Sequence, residues 1–85
     1  MSMVQQLISA VAEAERQIDE QISRLRNYGT EIDEVARRIS AAFSGSQTES
    51  DQQMLQQIAQ TKKQVDQTIE RLQIAKDKLI RIRMI

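Results

Sequence analysis

Apolar residues recur in the first half of the chain with the spacing of an amphipathic helix. When the chain is written in seven-residue repeats abcdefg, every a position in this half is apolar, and Gln21 alone interrupts the d positions. Position e adds further apolar residues, with Glu15 and Gly29 as exceptions. Residues spaced in this way share one face of a helix. The a column consists of Val4, Val11, Ile18, Leu25, Ile32 and Ile39, and the d column of Leu7, Ala14, Gln21, Tyr28, Val35 and Ala42.

The second half carries the same kind of repeat in a register of its own. Its a column consists of Ile58, Val65, Leu72 and Leu79, and its d column of Met54, Thr61, Thr68, Ala75 and Ile82. Leu55 and Ile69 occupy e positions, and the remaining columns are mostly Gln, Lys, Arg, Asp and Glu, as is typical of a solvated face. Three consecutive d positions hold small residues, namely Thr61, Thr68 and Ala75. They leave room either for a partner's larger side chains or for tight packing against the first helix.

A short polar segment at the midpoint separates the two halves. Gly45 suits a helix C-terminus, where a left-handed residue is favoured. Ser46 with Glu49 matches a capping box for the next helix, and Ser2 with Gln5 suits the start of the first. Because the connection is short, the arms should fold back on each other. The sequence therefore predicts an all-α fold, a single antiparallel two-helix hairpin with helices over about 2–43 and 47–83 and a turn at 44–46.

One segment of the first arm, from Asn27 to Thr30, has the composition of a helix break. A glycine inside a helix costs ~1 kcal/mol relative to alanine, and Thr30 with Asp33 would suit a new helix start. The a and d columns nevertheless continue across Gly29 without a shift. We therefore predict one continuous or slightly bent helix.

The a, d and e positions together form a face that is too wide for two helices to cover. A narrow a/d stripe suits a two-stranded coiled coil, whereas a wider face suits a bundle with more neighbours. We expect the hairpin to pair with a second hairpin as a four-helix bundle, either as a homodimer or as a heterodimer. The predicted interface comprises Val11, Ile18, Ile22, Leu25, Ile32, Ile39, Ile58, Val65, Ile69, Leu72 and Leu79.

The composition offers little to catalysis or to cofactor binding. The chain has no His and no Cys, so zinc and haem lose their usual ligands and nucleophile–base triads lose their base. The balance of 12 Lys+Arg against 12 Asp+Glu argues against a nucleic-acid partner. We expect no enzymatic activity and no cofactor. The carboxylates are expected in surface ion pairs, namely Glu20–Arg24, Asp33–Arg37 and Glu34–Arg38.

No segment has the features of a membrane span or of a cleaved signal peptide. No apolar run approaches the ~20 residues of a span, and the N-terminal residues lack a basic region followed by an apolar one. We therefore expect no stable membrane insertion and a cytoplasmic location, with export, where it occurs, by a route that needs no cleaved signal peptide.

Phe43-Ser44-Gly45, at the midpoint of the predicted hairpin, resembles the Trp-x-Gly turn of the WXG family, the small ESAT-like substrates and partners of type VII secretion. In this resemblance Phe43 takes the Trp position and Gly45 the Gly position. The resemblance implies a helical hairpin without a signal peptide that forms a dimeric four-helix bundle. An aromatic residue before a helix-stopping glycine also closes the core of many unrelated hairpins.

The chain departs from the family pattern in two ways that bear on how it would be exported. The chain has no Trp, and its second arm is not followed by an aromatic residue with an acid four positions later. The resemblance therefore implies export together with a partner, in the manner of the small helical companions of LXG-type toxins in Gram-positive bacteria.

Two classes of function are consistent with the sequence. The first is a non-enzymatic type VII secretion-associated substrate or adaptor that dimerises or binds a helical partner or toxin for export. The second is a cytoplasmic coiled-coil structural or assembly subunit. A neighbouring gene for a membrane ATPase or an LXG toxin would favour the first class.

Overall fold

The computed structural model describes residues 2–43 and 48–85. They form two helices, α1 (Met3–Ala42) and α2 (Glu49–Arg83), and no strand occurs within these ranges. The helices pack on each other, and ion pairs from Glu15 to Arg83 and from Asp33 to Lys62 show that they run antiparallel. The predicted all-α hairpin is confirmed. The molecule is a rod with principal extents of 66 × 15 × 14 Å.

The helix bounds differ slightly from those predicted. Helix α1 begins and ends one residue inside the predicted range 2–43. Helix α2 begins at Glu49 rather than at 47, and it ends at Arg83 as predicted. The predicted turn at 44–46, which includes Gly45, lies outside the described residues.

A side-chain cap marks the start of each helix. The hydroxyl of Ser2 accepts a hydrogen bond from the backbone N–H of Gln5 at 3.1 Å, as predicted. At α2 the cap is Thr48: its hydroxyl accepts from Asp51 N–H at 3.2 Å, and its own N–H donates to the Asp51 carboxylate at 3.0 Å. The predicted box of Ser46 with Glu49 is wrong, because Glu49 is the first residue of the helix and not its third.

Helix α1 is continuous through Gly29, as predicted. The hydroxyl of Thr30 donates to the carbonyl of Arg26 at 3.1 Å within the same helix, so it caps no new helix. Gly29 is buried, and a Cβ built on it would lie 3.2 Å from Cε of Lys62. The glycine therefore lets the side chain of Lys62 cross close to the surface of α1.

The core between the helices is thin. Val11, Ile22 and Val65 are its buried apolar residues, and none of the described side chains is fully buried. A layer of two helices covers one edge of each apolar stripe and leaves the other edge to solvent. Within the described residues, neither helix holds an apolar stretch that is long enough to cross a bilayer.

Candidate partner-binding face

The two helices contact each other mainly through their a and e columns. Among the buried residues of α1, Glu15, Ile22 and Gly29 occupy e positions and Val11 an a position. The buried residue of α2, Val65, also occupies an a position. The two residues that interrupt the apolar e pattern therefore both lie in the contact between the helices, where each has a specific packing role.

Glu15 binds Arg83 across the hairpin through two hydrogen bonds. The carboxylate accepts from Nε at 2.9 Å and from Nη2 at 3.3 Å. The Glu15 side chain is only 12% exposed, against 41% for Arg83. A carboxylate in so enclosed a place needs a partner to offset its lost hydration, and the two-point contact fixes the last turn of α2 against α1.

Two further ion pairs close the same side of the hairpin. Lys62 binds Asp33 and Lys76 binds Asp19, each with an N–O distance of 2.7 Å. The hydrogen bond from each ammonium to its carboxylate raises the pKa of Lys62 and of Lys76, because it favours the charged form. The predicted pair of Asp33 with Arg37 is wrong, since Asp33 is bound to the other helix instead. We call the edge formed by these three interhelical pairs the ion-paired side.

Ion pairs within α1 follow the predicted pattern only in part. Glu34 binds Arg38 at 2.6 Å, as predicted. Glu20 binds Arg16, one turn towards the N-terminus, so the predicted pair with Arg24 is wrong. Arg16 and Arg24 are each four residues from Glu20, so the spacing of charges alone does not show which of them Glu20 binds.

The d columns of both helices lie together on the side opposite the ion pairs. Tyr28, Ile32 and Val35 of α1 line one groove with Ile58 and Thr61 of α2. In an antiparallel pair that meets through its a and e positions, both d columns point to the same side. We call this side the apolar face; its large d-column members and their exposed fractions are Leu7 56%, Tyr28 50%, Val35 47%, Met54 41% and Ile82 48%.

Three small d-column residues of α2, namely Thr61, Thr68 and Ala75, lie in the same column as these larger side chains. The hydroxyls of Thr61 and Thr68 donate to the carbonyls of Gln57 and Gln64 of the same helix, at 3.0 and 2.9 Å. Each hydroxyl hydrogen is therefore already used within α2, and docking of an apolar group leaves no donor unsatisfied.

At the open end of the hairpin, α1 extends beyond the last turn of α2. Glu15 is level with Arg83, so the residues before Val11 have little of α2 beside them. Val4, Leu7 and Ile8 are exposed there, and they line a second hollow together with Val11, Ile82 and Ile85. The apolar face therefore has a second hollow at this end of the rod, separate from the groove at Tyr28.

The predicted interface residues lie mostly where the hairpin packs on itself. Val11, Ile22 and Val65 are buried between the helices. The others are half-buried, namely Ile18, Leu25, Ile32, Ile39, Ile58, Ile69, Leu72 and Leu79. The exposed d-column residues were in the predicted pattern but not among the predicted interface residues. Periodicity does not fix how each helix is rotated about its axis, so the sequence could not single them out.

Of the predicted turn motif, the structure describes Phe43 alone. Phe43 follows the last residue of α1, its side chain is half-buried, and its N–H donates to the carbonyl of Ile39 at 3.1 Å. Gly45 lies outside the described residues.

The apolar face offers packing surface rather than reactive groups. Among the described residues, no group of His, Cys, Asp and Glu side chains is placed to hold a metal ion, and no buried side-chain N or O atom lacks a hydrogen-bond partner. What the arrangement can do is bind another apolar surface. Comparison with protein-family models, with curated proteins and with solved structures finds no match to this chain.

Proposed function

We propose that this chain is a non-enzymatic helical module that binds a second helical hairpin across its apolar face to form a four-helix bundle. The observation that supports the proposal most strongly is the exposure of large d-column side chains of both helices on one side, while the opposite side is joined by three ion pairs. Large exposed apolar side chains gathered on one side of a small protein mark an interaction site.

The rotation of the two helices suits this assembly. In a four-helix bundle each helix directs its a and d positions towards a common centre. Here the a residues from Val11 onwards are buried or half-buried beside the other helix, and the d residues lie on the side opposite the ion pairs. A hairpin laid on the apolar face would place the a and d positions of all four helices at one centre.

Burial of the large d-column side chains supplies the driving force. Leu7, Tyr28, Val35, Met54 and Ile82 are 41–56% exposed. Full burial of one such side chain contributes ~1.5–3 kcal/mol, so covering the exposed half of all five contributes on the order of 4–7 kcal/mol. Association entropy offsets part of this gain.

We further propose that the bundle serves type VII secretion, with the chain acting as a substrate or as an adaptor that accompanies a helical partner such as an LXG-type toxin. The two-helix hairpin and the half-buried aromatic residue that directly follows α1, Phe43, support this role. A cytoplasmic coiled-coil assembly subunit would form the same bundle but would not be exported.

Co-purification from the native host tests the pairing. Tyr28→Asp places a charge in the apolar face, whereas Asn27→Asp adds the same charge at the adjacent exposed position, away from the groove. Burial of an unpaired charge is costly, so we expect Tyr28→Asp to recover about tenfold less partner than the wild type, and Asn27→Asp to recover as much. Equal recovery by all three folded proteins would contradict the pairing.

Secretion in the native host tests the export role. Phe43 is only half-buried, so Phe43→Ala should cost less than the ~3–5 kcal/mol of a fully buried ring and should preserve the helices. We expect the folded variant to bind its partner but not to reach the culture medium, and the wild type to remain in cells that lack the partner gene. Unchanged secretion in both experiments would favour the cytoplasmic assembly subunit.

A further inference from the structure

The apolar face is flanked by the g columns of the two helices. With d pointing out of the face and a pointing towards the other helix of the hairpin, g lies on the outer edge of each helix. These positions would meet the flanks of whichever helices dock on the face. They are Met3, Ala10, Gln17, Arg24, Glu31 and Arg38 in α1, and Ser50, Gln57, Gln64, Arg71 and Lys78 in α2, with Ile85 just beyond its end.

Four of the five charged residues in the two flanks are basic, and three of these four are unpaired. Arg24, Arg71 and Lys78 are exposed and form no ion pair with another described residue. Arg38 is bound to Glu34 of its own helix, and Glu31 is the one acid in either flank. The chain as a whole has a formal net charge of +0, but its charges are unevenly paired. The cations of the ion-paired side are neutralised within the hairpin, whereas Arg24, Arg71 and Lys78 beside the apolar face are not.

A second copy of the chain does not neutralise this flank. In a symmetric dimer with α1 of each copy on α2 of the other, Arg24 would lie level with Arg71 of the other copy, as the register of the Asp19–Lys76 pair shows. In the alternative dimer each helix faces its own copy, and the flank of α2 then meets a flank that holds Ser, Gln, Arg, Lys and Ile but no acid. Either arrangement leaves Arg71 and Lys78 without an acid.

We infer that the natural partner is a different chain, an amphipathic helical hairpin whose apolar stripe is flanked by Asp and Glu at the levels of Arg24, Arg71 and Lys78. Charges that flank a helical interface select the partner more than they add to its affinity, since like charges disfavour the wrong pair. This inference rests on the proposed pairing through the apolar face, and it names the chemistry of the occupant.

A charge-reversed copy of the chain serves as the probe for this chemistry. The triple variant Arg24→Glu, Arg71→Glu, Lys78→Glu keeps the apolar face and makes its flanks acidic. The matched control Arg26→Glu, Arg37→Glu, Lys63→Glu has the same net charge, but its substitutions lie at exposed positions outside the a, d and g columns. Each protein is measured alone and in an equimolar mixture with the wild type by sedimentation equilibrium, at ~50 mM and ~500 mM salt, since salt screens exposed charges.

We expect the mixture of wild type with the flank variant to form a one-to-one complex about tenfold tighter than the wild-type homodimer at low salt. High salt should narrow this difference, and the control mixture should bind no more tightly than the wild type alone. A wild-type homodimer as tight as the mixed complex would overturn the inference and leave the proposed pairing intact. Equal affinity of the wild type for the flank variant and for the control variant would have the same consequence. Absence of association in every sample would overturn both the inference and the pairing.

Discussion

At the scale of single residues, Gly29 and Glu15 each lie against one long side chain of α2, Lys62 and Arg83 respectively. Both occupy e positions of α1 and both are buried against α2. The sequence marks them as exceptions in an apolar column, but it could not assign their roles, because Lys62 and Arg83 lie far along the chain and are brought to them only by the fold. The same limit applies to Asp33, whose partner is on the other helix rather than one turn away.

Gly29→Ala measures the balance between helix propensity and packing. Alanine stabilises a helix interior by about 1 kcal/mol relative to glycine, but its Cβ would approach Cε of Lys62 to 3.2 Å. Because that atom lies near the end of a flexible side chain, the side chain of Lys62 can move aside. We therefore expect Gly29→Ala to raise the free energy of unfolding, but by less than the full difference in helix propensity between alanine and glycine. Urea unfolding measures this free energy, and the larger side chain of Gly29→Leu is expected to lower it. A lower free energy of unfolding for Gly29→Ala would contradict the expectation, because it would mean that the side chain of Lys62 does not move aside.

Arg83→Met and Glu15→Met should differ in cost although they break the same ion pair. Arg83→Met leaves the enclosed carboxylate of Glu15 unpaired, with a penalty of ~1–3 kcal/mol, whereas in Glu15→Met the more exposed Arg83 remains hydrated. We expect Arg83→Met to lower the free energy of unfolding more than Glu15→Met does, as measured by urea unfolding near neutral pH. The reverse order would contradict the proposed role of burial.

At the scale of helices, the ends are fixed by caps and the pairing by cross-helix ion pairs. Two overlapping capping signals, Ser46–Glu49 and Thr48–Asp51, occur before α2, and the structure uses the second. Periodicity predicted both helices and the continuity of α1, since it extends over many turns. It could not choose between caps two residues apart, because each sequence satisfies the same local rule.

Thr48→Ala should destabilise α2 at its start. The substitution removes the acceptor for the N–H of Asp51, which costs about 0.5–2 kcal/mol at an N-cap. Ser46→Ala is the matched control, since Ser46 precedes the capping residue of α2. We expect a lower midpoint of thermal unfolding for Thr48→Ala than for Ser46→Ala, measured by circular dichroism at 222 nm. Equal midpoints would argue against Thr48 as the cap.

The interhelical lysines should make the hairpin sensitive to alkali. The pKa values of Lys62 and Lys76 are raised above 10.5 by their carboxylate partners. A raised pKa contributes stability that is fully present below the unfolded value and is lost as pH rises through the folded value. We therefore expect the thermal midpoint to fall above pH ~10.5 more steeply in the wild type than in a Lys62→Met, Lys76→Met double variant. Identical pH profiles would contradict this linkage.

At the scale of the whole molecule, a rod of two helices presents one closed side and one open side. The hairpin and its expected need for a partner follow from the width of the apolar stripe, and the hairpin is confirmed. Which column stays open could not be predicted, because the rotation of each helix shows only in contacts between residues far apart in the sequence, such as Asp19–Lys76, Glu15–Arg83 and Gly29–Lys62. The residues that the structure exposes on the open side are therefore Leu7, Tyr28 and Val35 rather than the buried Val11 and Ile22.

Site-specific photo-cross-linking in the native host tests most directly whether the apolar face is covered. A photo-reactive amino acid is placed at Val35, within the groove, and in a separate variant at Arg37, at an exposed position outside it. The pairing predicts a cross-linked product with a second helical chain from position 35 and little or none from position 37, and mass spectrometry of that product identifies the partner. Equal products from the two positions, or no product from position 35, would contradict the central claim that a helical partner completes the core across this face.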